Sequence, residues 1–399
     1  MSRQAALGLV PAPAPGVESC ELDGELLVWQ DTTIHRLNTM GALVWDHFDG
    51  QTTVGDLSRM LAEGFEASEA DVQRELLALC TQLLDEGLLR GGRSDRPKPA
   101  PLVYRYGRPP SVPLDRPDRL PYTTGRFLTF DHDFAVQTDD ARLAAYFTRT
   151  LRSFATSGSP ARWYSVLTGP EPEERYRIYL DDEGLFAAAD IDRAARYLLW
   201  HVNAQVIQGA SRHLLVHAAG ATVGAGAVVL PGEMNAGKTT LVAGLVLDGF
   251  GFLTDELVAL NLNTGLVDPY PRPLNIGTGS WEVLSRLRPA DRDEDETFPE
   301  HLWHVDATSI RTDAVAPPTP IRWVIAPIFE RGAATRLEPL SRPETVQLLH
   351  RVSFNGDRFG GAGIRALVTA VRGAHCARLV NGDLASAVAA VRRFLEDPA

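Results

Sequence analysis

Cysteine is scarce in this chain of 399 residues, and its three copies, Cys20, Cys80 and Cys376, lie far apart. An odd and scattered set argues against a disulfide framework and for a reducing compartment. The chain also lacks a basic start followed by an apolar run, and it has no uninterrupted apolar stretch of bilayer-spanning length. We therefore expect a cytoplasmic protein without a membrane partner.

Basic residues are also in deficit. The 39 Lys and Arg residues are outnumbered by 51 Asp and Glu residues, which gives a formal net charge of −12. This balance disfavours nucleic acid as a partner and is compatible with a basic peptide. With 44% hydrophobic residues, the chain has enough apolar material for two or three domains with cores.

The most specific motif is Gly-Glu-Met-Asn-Ala-Gly-Lys-Thr at 232–239, which fits the phosphate-binding pattern G-x-x-x-x-G-K-[ST]. Apolar residues 227–230 predict a strand that leads into it, and residues 240–247 predict a helix that leaves it. The pattern predicts a site for ATP, or another nucleoside triphosphate, with Mg²⁺. The expected nucleotide contacts are Gly232, Glu233, Met234, Asn235, Ala236, Gly237, Lys238, Thr239 and Thr240.

Two acids follow this motif after one helix. A short predicted strand at 250–254 ends at Asp255 and Glu256, and ligands of open α/β sheets lie at strand ends. One acid of the pair would bind metal beside Thr239, and the other would orient or deprotonate an acceptor hydroxyl. The alternative is a solvated acidic turn. A predicted hairpin of 214–219 with 227–230 would bring His217 toward the phosphates, although a lone His on an apolar strand is more often a core residue.

This arrangement resembles the HPr kinase/phosphorylase family, which is related to phosphoenolpyruvate carboxykinases. The resemblance implies that His217 assists, that Asp255 is the base toward a protein serine, and that Asp255 and Glu256 contribute to the metal site. The loop interior lacks the family's usual Ser-Gly, the second acid is Glu rather than Asp, and Ala rather than Gly follows His217. These departures indicate a divergent relative whose acceptor need not be HPr.

Weaker similarity continues through Pro271–Leu274, the strand-like run 321–329 and a helix-turn-helix pattern that closes at Glu396. Arg272 is a candidate for stabilising the charge of the transferring phosphoryl group, with a surface arginine as the alternative. His301 and His304 lie three residues apart without a third ligand, and we interpret them as structural.

The N-terminal segment has a different pattern. Strands at 25–29 and 33–37 precede helices at about 40–48, 54–62 and 69–86. The run Ile34 to Trp45, the turn Asp49-Gly50 and the closing stretch Leu83 to Leu89 resemble PqqD-like peptide chaperones, which recognise leader segments of ribosomally made precursor peptides.

An exposed strand edge can bind such a leader as an added strand, with side chains in a groove beside the third helix. The candidate groove residues are Ile34, Arg36, Val72, Leu76 and Leu79, and for each of the three helical ones a place in the domain core is the favoured alternative. DNA binding is disfavoured because the longest helix is rich in Glu and Asp.

These observations predict an α+β winged-helix-like recognition domain at 1–92, a Pro-rich linker at 93–124, and an α/β P-loop kinase domain at 125–399. Within the last, 125–210 form a lead-in subdomain and 211–399 the catalytic core. We expect an ATP-dependent kinase that phosphorylates a hydroxyl, by resemblance serine, of a precursor peptide bound through its leader. A nucleotide-binding peptide chaperone and a small-molecule kinase stay open as alternatives, as does a homo-oligomer.

Overall fold

The computed structural model describes residues 6–90, 108–114, 120–289 and 302–397. The chain has a mixed α/β architecture with several sheets and divides into two compact units. The first unit contains residues 1–101, 341–350 and 356–372, and the second contains the rest of the chain. Among the described residues, no helix has the length and apolar character needed to cross a bilayer.

The first unit is built on a three-stranded antiparallel sheet in the order β1-β2-β3. Its elements are β1 (Glu18–Leu22), β2 (Glu25–Gln30), β3 (Thr33–Leu37), α1 (Thr39–Trp45), α2 (Val54–Gly64) and α3 (Glu69–Asp85). Asn38 and Thr53 cap α1 and α2 through their side chains, which satisfies backbone N–H groups that a helix start leaves unpaired. The predicted strands and helices of this segment are therefore present, while β1 was not anticipated.

One face of this sheet packs on the three helices. Leu26, Val28 and Leu37 belong to the same core as Leu57, Leu83 and their helical neighbours. The other face carries Leu27 and Trp29, which are also buried. A helix from far along the chain, Gly356–Val371, covers that face, because it packs on β2 and its Gly361 lies against the Trp29 indole.

The second unit contains two large sheets. The first is a seven-stranded sheet in the order β10-β9-β8-β6-β5-β7, with β4 paired to β6. Its core contains the aromatic residues Phe134, Phe147 and Tyr164 and extends to Leu215 and Tyr270. Its elements are β4 (Tyr122–Thr123), β5 (Arg126–Thr129), β6 (His132–Thr138), α4 (Ala141–Thr150), β7 (Ala155–Thr156), β8 (Arg162–Thr168), β9 (Tyr176–Leu180), β10 (Glu183–Ala188) and α5 (Ile191–Gly209).

The second large sheet has eight strands in the order β15-β14-β11-β12-β18-β20-β19, with β13 also paired to β11. The pairs β12-β18 and β18-β20 are parallel, whereas β11-β12 is an antiparallel hairpin. The elements are β11 (His213–Val223), β12 (Gly226–Pro231), α6 (Lys238–Leu247), β13 (Gly251–Thr254), β14 (Leu257–Asn261), β15 (Val267–Asp268), β16 (Leu274–Gly277), β17 (Leu302–Val305), α7 (Ala307–Ile310), β18 (Ile321–Phe329), β19 (Arg336–Pro339), α8 (Arg342–Arg351), α9 (Gly356–Val371), β20 (His375–Asn381) and α10 (Leu384–Glu396). Strands β16 and β17 form a separate two-stranded sheet.

The structure differs from two predictions made from the sequence. The helix-turn-helix pattern expected before Glu396 is interrupted by β20, a strand paired on both sides. The helices α8 and α9, which we placed in the domain at 125–399, group largely with the first unit. Most of the predicted linker at 93–124 lies outside the described residues. In its described part, the Val112 carbonyl accepts a hydrogen bond from the Tyr179 hydroxyl.

Candidate functional site

The glycine-rich loop at 232–237 connects the buried strand β12 to α6. Its backbone is left-handed at Asn235 (φ 67°) and at Gly237 (φ 86°), a conformation that glycine adopts without strain. The helix α6 starts at Lys238 without a capping side chain, because Gly237 occupies the N-cap. The first-turn N–H groups are thus free of a side-chain acceptor, which favours an anion at this helix start.

Lys238 folds back into this loop. Its Nζ donates to the carbonyl oxygens of Gly232 (2.8 Å) and Glu233 (2.7 Å), and the residue is only 7% exposed. Burial lowers the pKa of Lys238, and the nearby carboxylates of Glu256 and Asp255 oppose this shift. Thr239 is half-buried, and the hydroxyl of Thr240 lies 2.6 Å from that of Ser280.

The two acids occupy the turn between β13 and β14, which both pair with β11. The Thr254 hydroxyl accepts the backbone N–H groups of Glu256 (3.2 Å) and Leu257 (3.1 Å), and this fixes the turn. The acidic pair is therefore held by backbone geometry on a rigid sheet and is not a solvated loop. The alternative of a freely solvated acidic turn does not apply to Asp255, which is 1% exposed.

Asp255 is a buried carboxylate with incomplete hydrogen bonding. Its Oδ2 accepts the Asn275 backbone N–H at 3.0 Å, and Arg272 Nε lies 3.3 Å from Oδ1. Within the described parts of the chain, Oδ1 accepts no hydrogen bond. Burial raises the pKa of Asp255 to about 6, and the Arg272 guanidinium opposes the increase. A carboxylate with this pKa is ionised at neutral pH and basic enough to accept a proton.

Glu256 is more exposed and lies between His217 and Arg272. Its Oε1 is 3.8 Å from His217 Nε2, and its Oε2 is 3.7 Å from Arg272 Nη1. Burial and the charge of Lys238 lower the pKa of His217, so its imidazole is neutral at pH 7. The β11-β12 register, in which Ala218 pairs with Pro231, places His217 at the end of the hairpin that carries the loop.

The structure thus brings together His217, Asp255, Glu256 and Arg272, and the charges of the two acids act on Lys238. Arg272 is an enclosed partner of both acids, so the alternative of a surface arginine is wrong. His304 is half-buried with Nδ1 2.6 Å from the Tyr146 hydroxyl, as its structural interpretation implies, and His301 lies outside the described residues.

Sequence reasoning missed Asn275, because a backbone amide leaves no trace in residue type. It also missed the stabilising hydroxyl of Thr254. No group of three or more His, Cys, Asp or Glu side chains that could hold a metal occurs among the residues with described positions. The predicted metal set of Thr239, Asp255 and Glu256 therefore offers a hydroxyl and two carboxylates, and phosphate oxygens would have to complete the shell of a Mg²⁺ ion.

A second candidate site lies in the first unit, at the edge strand β3. His35 pairs with Val28 and so shares the helix-facing side of the sheet. Its Nδ1 lies 3.5 Å from Nε2 of Gln82 on α3 and 2.9 Å from Oε2 of Glu86, the C-cap residue of that helix. A cleft of about 620 Å³ runs along this helix, lined by Leu77, Ala78, Thr81, Gln82, Asp85 and Glu86.

Comparison with known families identifies this segment. Residues 26–89 match the family model described as Coenzyme PQQ synthesis protein D (PqqD). This segment is a PqqD-like domain. The match covers none of the loop or acid residues, so a kinase core stays a prediction. None of the curated proteins matches the chain.

Two of the predicted groove residues of the PqqD-like domain lie on the wrong face of the sheet. Ile34 and Arg36 pair with Trp29 and Leu27, so they lie on the sheet face opposite α3. Arg36 there lies 3.4 Å from Glu25 and 4.0 Å from Glu344. Assigning these two residues to a groove beside the third helix is wrong, because strand side chains alternate between faces.

The assignment of helical residues to the groove of the PqqD-like domain is also revised. Leu76 is 4% exposed and belongs to the domain core, and Val72 and Leu79 pack against that core. The helix face that borders the cleft begins one residue further, at Leu77 and Ala78. Leu76 is therefore a core residue, and the candidate peptide contacts move to Leu77, Thr81, Gln82 and His35.

Proposed function

We propose that this protein is an ATP-dependent kinase that phosphorylates a hydroxyl side chain, by resemblance serine, of a ribosomally made precursor peptide. The observation that supports this most is the convergence of Asp255, Glu256, His217 and Arg272 beside a glycine-rich loop that contains Lys238. Such a set combines an anion-binding backbone, a cation and a basic carboxylate, which are the parts that phosphoryl transfer uses.

The residues fit a nucleotide with Mg²⁺. The uncapped start of α6 and the loop amides suit phosphate oxygens, and Asp255 Oδ1 is buried without a hydrogen-bond donor among the residues that the structure describes. Thr239 and Glu256, with Asp255, would hold Mg²⁺, which neutralises phosphate charge when bound. Lys238 would exchange its bonds to the Gly232 and Glu233 carbonyls for phosphate oxygens.

Asp255 would take the proton of the acceptor hydroxyl. The acceptor oxygen forms a bond to the γ-phosphorus, the bond from that phosphorus to the bridging oxygen breaks, and the electron pair leaves with the diphosphate. Neutral His217 contacts Glu256 and would assist in orienting the acids, while Arg272 keeps Asp255 ionised at neutral pH by opposing the effect of burial. The base is thus prepared before the acceptor arrives.

The PqqD-like domain would supply the acceptor by binding its leader. A peptide strand added to the β3 edge would place side chains in the cleft beside α3, near His35 and Gln82. Because a tethered acceptor has a high effective concentration, the transfer site need not bind the peptide tightly itself.

The test uses precursor peptides encoded by short open reading frames beside the gene. The full chain with ATP and Mg²⁺ should add one phosphoryl group to such a peptide, measured by mass spectrometry. Asp255→Asn should lower the rate by at least about a hundredfold, as expected for loss of a general base. Asp313→Asn, an exposed carboxylate of the same unit, is the matched control and should retain the rate.

Two outcomes would favour other functions. Peptide binding that depends on ATP, without any phosphopeptide, would indicate a nucleotide-dependent chaperone. Phosphorylation of a metabolite that survives deletion of residues 1–92 would indicate a small-molecule kinase.

A further inference from the structure

The larger unit contains a cavity that is lined by arginines. It has a volume of about 420 Å³, and Arg149, Arg152, Arg286 and Arg288 border it together with His304 and Asp306. Arg149 and Arg152 come from the end of α4 and the turn after it, while Arg286 and Arg288 come from the segment after β16. Two separate parts of the chain thus direct guanidinium groups to one cavity.

The cavity carries an excess of positive charge in a protein that is strongly acidic overall. The carboxylate in the lining is Asp306, and it already has an ion-pair partner and hydrogen-bond donors. Its Oδ1 lies 3.3 Å from Arg152 Nη2 and accepts the Thr308 hydroxyl at 2.6 Å, and its Oδ2 accepts the Ser153 hydroxyl at 2.7 Å. Burial, with the nearby charge of arginines that include Arg149, lowers the pKa of His304 to about 3, so this imidazole adds no charge.

Arg149, Arg286 and Arg288 form no ion pair with a carboxylate of the described residues. Each is exposed to solvent and lines the cavity. Three like charges around one cavity repel each other, and an anion would relieve that repulsion. Planar guanidinium groups also match the paired oxygens of a carboxylate or a phosphate.

The cavity wall is linked to the acid site by the two-stranded sheet of β16 and β17. His304 on β17 pairs in register with Asn275 on β16, and the Asn275 backbone N–H donates to Asp255. His304 of the cavity wall is thus one strand away from the residue whose backbone amide contacts the proposed base.

We propose that this cavity is an anion-binding subsite that takes a carboxylate or phosphate group carried by the acceptor molecule. The acceptor role rests on the proposed function, whereas anion binding by the four arginines does not. The subsite would select acceptors that bear acidic groups near the modified hydroxyl, since those groups would relieve the repulsion among the guanidinium groups.

The experiment measures binding of two fluorescent probes to the full chain without nucleotide. Hexaglutamate tests carboxylates and a Gly-phosphoserine-Gly peptide tests a phosphate monoester, and hexaglutamine is the neutral control. The double variant Arg286→Gln/Arg288→Gln should weaken binding of at least one anionic probe by about tenfold, because two charge-assisted contacts are lost. The matched double variant Arg175→Gln/Arg393→Gln removes the same charge elsewhere and should bind normally.

Binding should also persist in Lys238→Ala, which separates this cavity from the loop at 232–239. The proposal is overturned if neither anionic probe binds, or if both bind the Arg286/Arg288 variant as tightly as the unaltered chain. Loss of binding in Lys238→Ala with unchanged binding in the arginine variant would assign the anion to the loop and would also overturn it. Because nucleotide is absent, a failure of peptide phosphorylation leaves these results unaffected.

Discussion

At the scale of single residues, Asp255 combines burial with an incomplete set of partners. It is 1% exposed, Arg272 Nε lies 3.3 Å from its Oδ1, and that oxygen accepts no hydrogen bond from the described residues. Burial alone would hold a carboxyl in its neutral form, and a fixed guanidinium limits that effect. The observed balance raises the pKa of Asp255 to about 6 and leaves it ionised at neutral pH.

This balance predicts the pH dependence of transfer. A base with a raised pKa is protonated, and inactive, below that pKa. We expect kcat/KM to fall about tenfold per pH unit below about pH 6 and to be level above it. Arg272→Met should shift this acidic limb to higher pH, because the opposing charge is lost. A limb near pH 4 in the unaltered chain would show that Asp255 is not the titrating base.

The site residues were predictable to different degrees. The loop and Lys238 follow from a fixed spacing, and the acids follow from their position after a short strand. Arg272 was a candidate by residue type, but its contact with both acids depends on a turn of the backbone after β15 that no pattern specifies. The Asn275 amide left no signal at all, because every residue except proline has one.

At the scale of elements, close packing of α6 on α10 holds the loop helix in place. Gly244 lies at the contact, where a Cβ would be 2.7 Å from Leu384 Cδ1 and 3.1 Å from Val388 Cγ2. The absence of a side chain therefore lets the two helices approach each other, although glycine is a poor helix former. Their shared core also contains Leu241 and Ala387.

Substitution of this glycine tests the contact. Gly244→Ala should lower the free energy of unfolding by about 1 kcal/mol, since overpacking outweighs the gain in helix propensity. Gly209→Ala is the control, because Gly209 ends α5 with open space around a Cβ. We expect this control to be neutral or slightly stabilising in chemical denaturation. Equal stabilisation by both substitutions would contradict the close approach of α6 and α10.

The predicted peptide groove beside α3 shows a limit of the alternation pattern of strands. Alternation along a strand identifies two faces, yet residues 26–29 of β2 are apolar at every position and buried on both sides. Sequence therefore could not tell which face of the neighbouring β3 meets α3. The sheet face opposite α3 belongs with α8 and α9, which lie more than 300 residues away in the sequence. Ile34 and Arg36 are on that face, away from the cleft.

At the scale of the whole molecule, the PqqD-like domain is completed by distant residues. Segments 341–350 and 356–372 belong to the same compact unit as residues 1–101. Arg342 pairs with Asp23, Arg365 pairs with Glu18, and His350 Nε2 lies 3.0 Å from the Thr32 carbonyl oxygen. The recognition unit is thus discontinuous in sequence, which composition and a Pro-rich spacer could not reveal.

A fragment of residues 1–92 should therefore expose an apolar surface. Leu27 and Trp29 are 0% and 3% exposed in the full chain and would lose the cover of α9. We expect the fragment to bind a hydrophobic dye and to self-associate in sedimentation experiments. The double substitution Leu27→Thr/Trp29→Thr in the fragment should reduce both effects. A monomeric fragment that binds no dye would contradict the role given to α9.

The central claim is that the loop at 232–239 and the acids at 255 and 256 serve one nucleotide. Calorimetric titration of the full chain with a non-hydrolysable ATP analogue tests it most directly. We predict binding that requires Mg²⁺, is weakened at least about tenfold by Lys238→Ala, and loses its Mg²⁺ dependence in Glu256→Gln. Absence of nucleotide binding, or binding that is indifferent to both substitutions, would contradict the account.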